Sequence, residues 1–219
     1  MTGHKPARRV VRPTGRHFQG YFPSQKMGRM VADDSLLERD ALFHFEFSPW
    51  VVSFREQPER IIYYIDGEPN ECFPDFEVVT TDGVVIHIEV KPKAKIRKQK
   101  YKAKYDAIAE HYARNNRIFR ILTEDEVRVQ PRLNNLKKLK YHNRKDGCTT
   151  KQQESWCQTV RDAKALTVQQ AQEALGGNLK KVYRLIAGGY LICDMNTLIG
   201  PASEIGFVKE GKSNDPILT

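Results

Sequence analysis

Cysteine is scarce and scattered. Cys72, Cys148, Cys157 and Cys193 form no Cys-X-X-Cys pair, which argues against a zinc ribbon or a disulfide framework and favours a reducing compartment. No apolar run is long enough to span a bilayer, and the basic N-terminus lacks the apolar block of a secretory signal. The expectation is a cytoplasmic protein without a membrane partner. No nucleophile motif stands beside His44, His87 or His111, so a Ser-His-Asp or Cys-His hydrolase is unsupported. Acidic residues are missing from two stretches. Residues 1–30 hold seven Lys/Arg and no Asp or Glu, and Arg128 to Lys145 is likewise free of acid. The 219 residues carry a formal charge of +9, which favours polyanionic partners such as nucleic acid or an acidic surface.

The pattern along the chain suggests four segments. Residues 1–30, punctuated by Gly and Pro, read as a basic extended arm or a solvated tail. Residues 31–127 read as an α/β core with a mixed sheet. Its first helix, Asp34 to Phe47, starts at the capping box Ser35-Leu36-Leu37-Glu38 and stops before Pro49. Strands are expected at Val51–Phe54 and Ile61–Ile65, with Asp66-Gly67 and Glu68-Pro69-Asn70 as a turn. The clearest hairpin joins Phe76–Val79 to Val84–Ile88 across Asp82-Gly83. A helix from Lys95 to Asn115, with an aromatic-rich stripe that includes Tyr101, Tyr105 and Tyr112, leads to a buried strand at Ile118–Leu122. That crossover predicts a parallel, right-handed pairing. Residues 128–148 read as a basic linker or a short basic helix. Residues 149–219 read as a small helical domain: a helix near Glu154–Ala163, another capped by Thr167, a third over Leu179–Ala187 capped by Asn178, then a hairpin joining Tyr190–Cys193 to Thr197–Ile199. That outline suits a winged helix or a helical cap docked on the core.

The chemistry lies in Pro74-Asp75-Phe76 and Glu89-Val90-Lys91. The hairpin can bring Asp75 beside Glu89, and alternation along a strand puts Lys91 on the same face as Glu89. Phosphodiester hydrolysis needs an activated water, neutralised phosphate charge and a stabilised leaving oxygen. Mg²⁺ held by carboxylates supplies much of all three, and Mn²⁺ can replace it. An ammonium at Lys91 can orient water or stabilise the phosphate in the transition state. The competing reading is a same-face salt bridge on a solvated strand; the apolar run Val84–Val90 argues against it. Glu38 has a complete structural job as the fourth residue of a capping box. Lys93, Lys95, Arg97, Lys98, Lys100, Lys102 and Lys104 supply backbone-binding charge next to the site, which positions DNA without reading its sequence.

The order Ser35-Leu36-Leu37-Glu38, Phe45-Glu46-Phe47, Arg55-Glu56-Gln57, Pro74-Asp75-Phe76 and Glu89-Val90-Lys91-Pro92 resembles the TnsA endonuclease family of heteromeric cut-and-paste transposases, including those of CRISPR-associated transposons. The resemblance spans about residues 33–125 and, loosely, the tail. It implies a restriction-endonuclease-like core followed by a helical tail domain, and a Mg²⁺-dependent catalytic set of Glu38, Asp75, Glu89 and Lys91, the first three as metal ligands. Family members carry Gln or Glu at the position of Glu89. The resemblance further implies cleavage of the 5′, non-transferred strands at transposon ends in double-stranded DNA. A TnsB-like DDE transposase and a TnsC-like AAA+ ATPase would be the partners, in a bacterial cytoplasm at the nucleoid. Two rivals remain open: a stand-alone restriction- or resolvase-like nuclease, and a nucleic-acid-binding adaptor with an inactive nuclease fold.

Overall fold

The computed structural model describes residues 4–8, 10, 18–143 and 148–207. The chain divides into two compact units. The first contains the residues up to Glu46 and Trp50–Arg128; the second contains Phe47–Pro49 and the residues from Val129 to Gly211.

The first unit opens with a hairpin of β1 (Gly20–Ser24) and β2 (Arg29–Asp33), followed by α1 (Leu36–Phe47), β3 (Val51–Glu56), β4 (Ile61–Ile65), β5 (Glu68–Cys72), β6 (Phe76–Thr80), β7 (Val85–Val90), α2 (Lys93–Ile96), α3 (Gln99–Arg114), β8 (Ile118–Leu122) and α4 (Glu124–Val127). The main sheet has the order β3-β6-β7-β8. Its first three strands are antiparallel, and β8 joins β7 in parallel after the α2–α3 crossover. This is the mixed α/β, restriction-endonuclease-like core expected from the sequence.

Strand alternation divides β7 between two apolar layers. Ile86, Ile88 and Val90 pack with Phe45, Phe54, Phe76 and Val78 on one face. On the other, Ile61, Tyr63 and Cys72 of the β4–β5 ribbon pack with Tyr105, Ile108 and Tyr112 of α3. His87 and Glu89 therefore belong to the α3 side.

Three local expectations change. Glu68–Asn70 is not a turn but the start of β5. Asp66 and Gly67, at φ 50° and 83°, complete the reversal in two residues, as a tight hairpin with positive φ at both central positions does. The helix expected over Lys95–Asn115 is two helices, because Lys98 is extended at φ −71° and ψ 133°. Like charges four apart, such as Lys93/Arg97 and Lys98/Lys102, disfavour one unbroken helix there. The extended arm expected over residues 1–30 becomes, from Gly20 on, an integral hairpin whose Phe22 and Val31 are buried in the core. Residues 1–3, 9 and 11–17 of that arm lie outside the described residues.

The second unit comprises α5 (Arg132–His142), α6 (Thr150–Asp162), α7 (Val168–Ala174), α8 (Leu179–Ala187), β9 (Leu191–Cys193) and β10 (Ile205–Phe207). Thr149 and Thr167 close capping boxes with Gln152 and Gln170, and the Asn178 side chain accepts from the Lys181 N–H. These caps start the three helices by satisfying N–H groups that have no partner within the helix. An isolated bridge joins Thr167 to Glu204, and β9 and β10 pair as an antiparallel hairpin after α8. Residues 132–142, within the expected linker, form α5 with Leu133, Leu136 and Leu139 buried. The partner strand of β9 is β10, not Thr197–Ile199. Asn135 of α5 donates to the carbonyls of Met195 and Thr197 and accepts from the Ile199 N–H, which diverts that segment's backbone from sheet pairing.

Candidate active site

The β6–β7 register pairs Phe76 with Ile88, so Asp75, one residue before β6, comes level with Glu89. Asp75 Oδ2 accepts from the Val90 N–H at 2.9 Å and from Lys91 Nζ at 2.9 Å. Lys91 Nζ also lies 3.3 Å from Glu89 Oε1. Tyr105 on α3 donates its hydroxyl to the same Oε1 at 3.2 Å. The second oxygen, Glu89 Oε2, is buried and has no hydrogen-bond partner. Asp75 and Glu89 are 4% and 3% exposed, an unfavourable place for carboxylates unless charge or a ligand compensates.

Glu38 is buried in the first turn of α1. Its Oε2 accepts from the Asp34 N–H at 2.9 Å and its Oε1 from the Ser35 hydroxyl at 3.1 Å, while the Ser35 hydroxyl oxygen accepts from the Glu38 N–H. The cap read from the sequence is formed, with Asp34 in place of Ser35 as the backbone donor. Burial first, and then the charge of Asp75, push the Glu38 pKa up to about 8, against the opposing pull of Lys91. Glu38 is thus coupled to the hairpin cluster by charge, while its own hydrogen bonds go to the cap. Burial and Asp75 likewise push Glu89 up to about 7, against Lys91 and Lys104. Burial would lower the Lys91 pKa, but Asp75, Glu89 and Glu38 outweigh it and raise it. Lys91 is therefore an ammonium, the main positive charge among three carboxylates.

Among the described residues no three Asp, Glu, His or Cys side chains converge closely enough to hold one ion. The expected ligand set Glu38, Asp75 and Glu89 is therefore not assembled. The structure joins Asp75 and Glu89 through Lys91 and leaves Glu38 on its helix cap. The donor chemistry still fits a hard divalent cation: carboxylate oxygens, a raised proton affinity that a cation would relieve, and an unpartnered Glu89 Oε2.

The basic set separates into two groups. Lys95, Arg97, Lys98, Lys100 and Lys102 are exposed, and Lys95 and Lys100 lie over the Tyr101 ring at 5.3 and 5.1 Å. Lys104 is half-buried, 5.5 Å from the centre of the Tyr105 ring. Lys93 is committed internally: its ammonium pairs with Asp125 and its N–H donates to Glu124, so its charge is compensated within the fold.

The motif Arg55-Glu56-Gln57 divides by role. Arg55 makes a two-pronged pair with Glu77, and Arg29 makes one with Glu56. Gln57 is 1% exposed, has φ 42°, donates its N–H to the Asp75 carbonyl at 2.9 Å and leaves its side-chain Oε1 unpartnered. A non-glycine residue in that conformation is strained by about 1–3 kcal/mol, and the strain is stored directly beside Asp75. Tyr105 enters the sequence reading only as part of an apolar stripe; its hydroxyl is the signal passed over, since a buried tyrosine O–H needs a partner. His87, 2% exposed and 3.1 Å from Glu77, is a satisfied core histidine.

Residues 48–124 match the family described as the TnsA-like endonuclease N-terminal domain. The matched segment contains Asp75, Glu89, Lys91 and Tyr105; Glu38 and everything from Val129 onward lie outside it. No curated protein matches the chain. No helix among the described residues is long and apolar enough to cross a membrane.

Proposed function

We propose that this chain, which carries a TnsA-like endonuclease domain, is the nuclease of a Tn7-like transposition system and cuts the 5′, non-transferred strands at transposon ends. The observation that carries this reading is the convergence of the buried Asp75 and Glu89 on the half-buried Lys91 inside the matched segment. Asp75, Glu89 and, if its cap contacts rearrange, Glu38 would hold Mg²⁺, or Mn²⁺ in its place. A bound ion would supply Lewis-acid stabilisation of the phosphate and a lowered pKa for its water.

The chain's own residues do the rest. Asp75 fixes the ammonium of Lys91 through an ion pair and is itself fixed by the Val90 N–H. Lys91 stabilises negative charge developing on the phosphate, where a preorganised cation in a shielded site is most effective. The exposed cations of α2 and α3 hold the sugar–phosphate backbone and read no bases.

Selection of the ends falls to partners: a TnsB-like DDE transposase for the 3′ ends and a TnsC-like AAA+ ATPase. The second unit supports this division. The helix at the recognition position of the winged-helix order, α8, has Val182, Tyr183, Arg184, Leu185 and Ile186 all buried, and its Tyr183 is covered by His142 at 4.8 Å and Lys138 at 4.8 Å. A helix so covered offers little surface to a DNA groove.

The test is Asp75→Ala in an excision assay reconstituted with both partners. The expected outcome is loss of 5′-strand cuts with 3′-strand joining retained and the circular dichroism spectrum unchanged. Normal excision by the variant overturns the assignment, and robust, sequence-specific cutting by the purified chain alone would select a stand-alone nuclease.

A further inference from the structure

Glu89 is held asymmetrically. Lys91 at 3.3 Å and the Tyr105 hydroxyl at 3.2 Å both address Oε1, and Oε2 is buried with no partner. A carboxylate with both donors on one oxygen has its rotation fixed and its other oxygen presented. Lys91 cannot do this alone, because its ammonium is shared with Asp75 at 2.9 Å. Tyr105 is well placed to help. It is 4% exposed and seated among Ile61, Tyr63, Cys72 and Ile108, so its ring cannot swing away from the strand. Alternation along β7 turns Glu89 toward α3, and the crossover lays α3 on that face.

We infer that Tyr105 is a positioning residue of the nuclease site, its hydroxyl orienting the Glu89 carboxylate so that Oε2 is offered to a divalent cation. This rests on the reading of Asp75, Glu89 and Lys91 as a metal-dependent site. Donors that orient a metal-binding carboxylate typically change metal affinity by about 10–100-fold. The neighbouring Lys104, half-buried over the Tyr105 ring on the same helix, adds a positive charge that also acts on Glu89.

The experiment is Mn²⁺ titration of the full chain, followed by spin resonance and calorimetry, for wild type, Asp75→Ala, Tyr105→Phe and Tyr112→Phe. Tyr112 is the control: it lies on the same helix and the same buried side, but its hydroxyl goes to Glu59. The expected result is weakening by about tenfold or more in Tyr105→Phe, no change in Tyr112→Phe, and unchanged melting curves in both. Tyr105→Met, which also lacks the hydroxyl but packs differently, should weaken binding alike and serves if the Phe variant folds poorly. Wild-type affinity in the folded Tyr105 variants, with binding lost in Asp75→Ala, overturns the positioning role and leaves the site intact. Equal weakening in Tyr112→Phe assigns the effect to helix packing and overturns it too. Absence of Mn²⁺ binding by folded wild type overturns the site reading and this inference with it.

Discussion

Glu89 in the first unit and Asn135 in the second are buried to almost the same degree, 3% and 2% exposed, and are treated oppositely. Asn135 uses both amide hydrogens and its carbonyl oxygen, to Met195, Thr197 and Ile199 at 2.7–3.3 Å. Glu89 has two donors on one oxygen and none on the other. The contrast extends beyond the pair. The first unit buries Asp33, Glu38, Asp40, Glu46, Glu56, Asp75 and Glu89, whereas the buried polar residues described in the second unit are Ser48, Asn135, Asn143 and Arg184, with no acid among them. A fully satisfied polar side chain fixes a loop; a half-satisfied carboxylate is costly unless it is used for something outside the fold. Burial alone does not separate scaffold from site: Glu89 keeps an unmet hydrogen-bonding position and Asn135 keeps none, and Asp33 Oδ1, outside the cluster, is unpartnered too.

Removing the charge from the unsatisfied cluster gives the largest effect. Lys91→Ala should slow 5′-strand cleavage by about 10²–10³-fold or more, with the fold retained by circular dichroism; single-turnover cleavage of labelled transposon ends measures it. The converse substitution, Asn135→Ala, should leave cleavage chemistry intact and cost about 1–3 kcal/mol, since it strands a buried N–H and two carbonyls; urea unfolding followed by tryptophan fluorescence reads the loss. A Lys91 variant that unfolds, or an Asn135 variant that stays stable but loses cleavage, would break the contrast.

The smallest effect concerns pH. Burial, and then Lys138 and Lys180, lower the pKa of His142 below its ordinary 6.5. The unfolded chain therefore binds the proton more readily, so this contribution to stability is whole above about pH 6.5 and is lost as pH falls below it. His142→Phe keeps the stack on Tyr183 and removes the titration. Urea midpoints at pH 7.5 and 5 should converge in the variant relative to wild type.

Much of the molecule is legible in the sequence where the determinants are local. Asn178 and the glycines after Ala187 bound α8 as expected, and Asp82-Gly83 with period-two alternation fixes the hairpin that brings Asp75 to Glu89. What escapes depends on distant contacts. β10 is not visible from local pattern because Asn135, some sixty residues upstream in sequence, takes the backbone of the nearer candidate strand. Gly20–Ser24 sits in a stretch, residues 1–30, that is basic and punctuated by Gly and Pro, while the burial of Phe22 comes from packing with α1 and β2. Three of the four expected site residues share one cluster; Glu38 joins it through charge, and spacing alone cannot weigh its cap bonds against that field. Tyr105 lies sixteen residues from Glu89, in a contact made only when the crossover folds back.

The position of Lys100 and Tyr105 on the same helix, α3, has a mechanical consequence. An α-helix advances by about 100° per residue, so over five residues one cylinder places the exposed Lys100 and the buried Tyr105 hydroxyl on different faces with no hinge between them. The spacing between the break at Lys98 and Tyr105 acts as a phase setting. One residue added there would swing the hydroxyl away from Glu89 and carry the outer cations round with it, changing the aim of the carboxylate and the charged face of the helix in the same step.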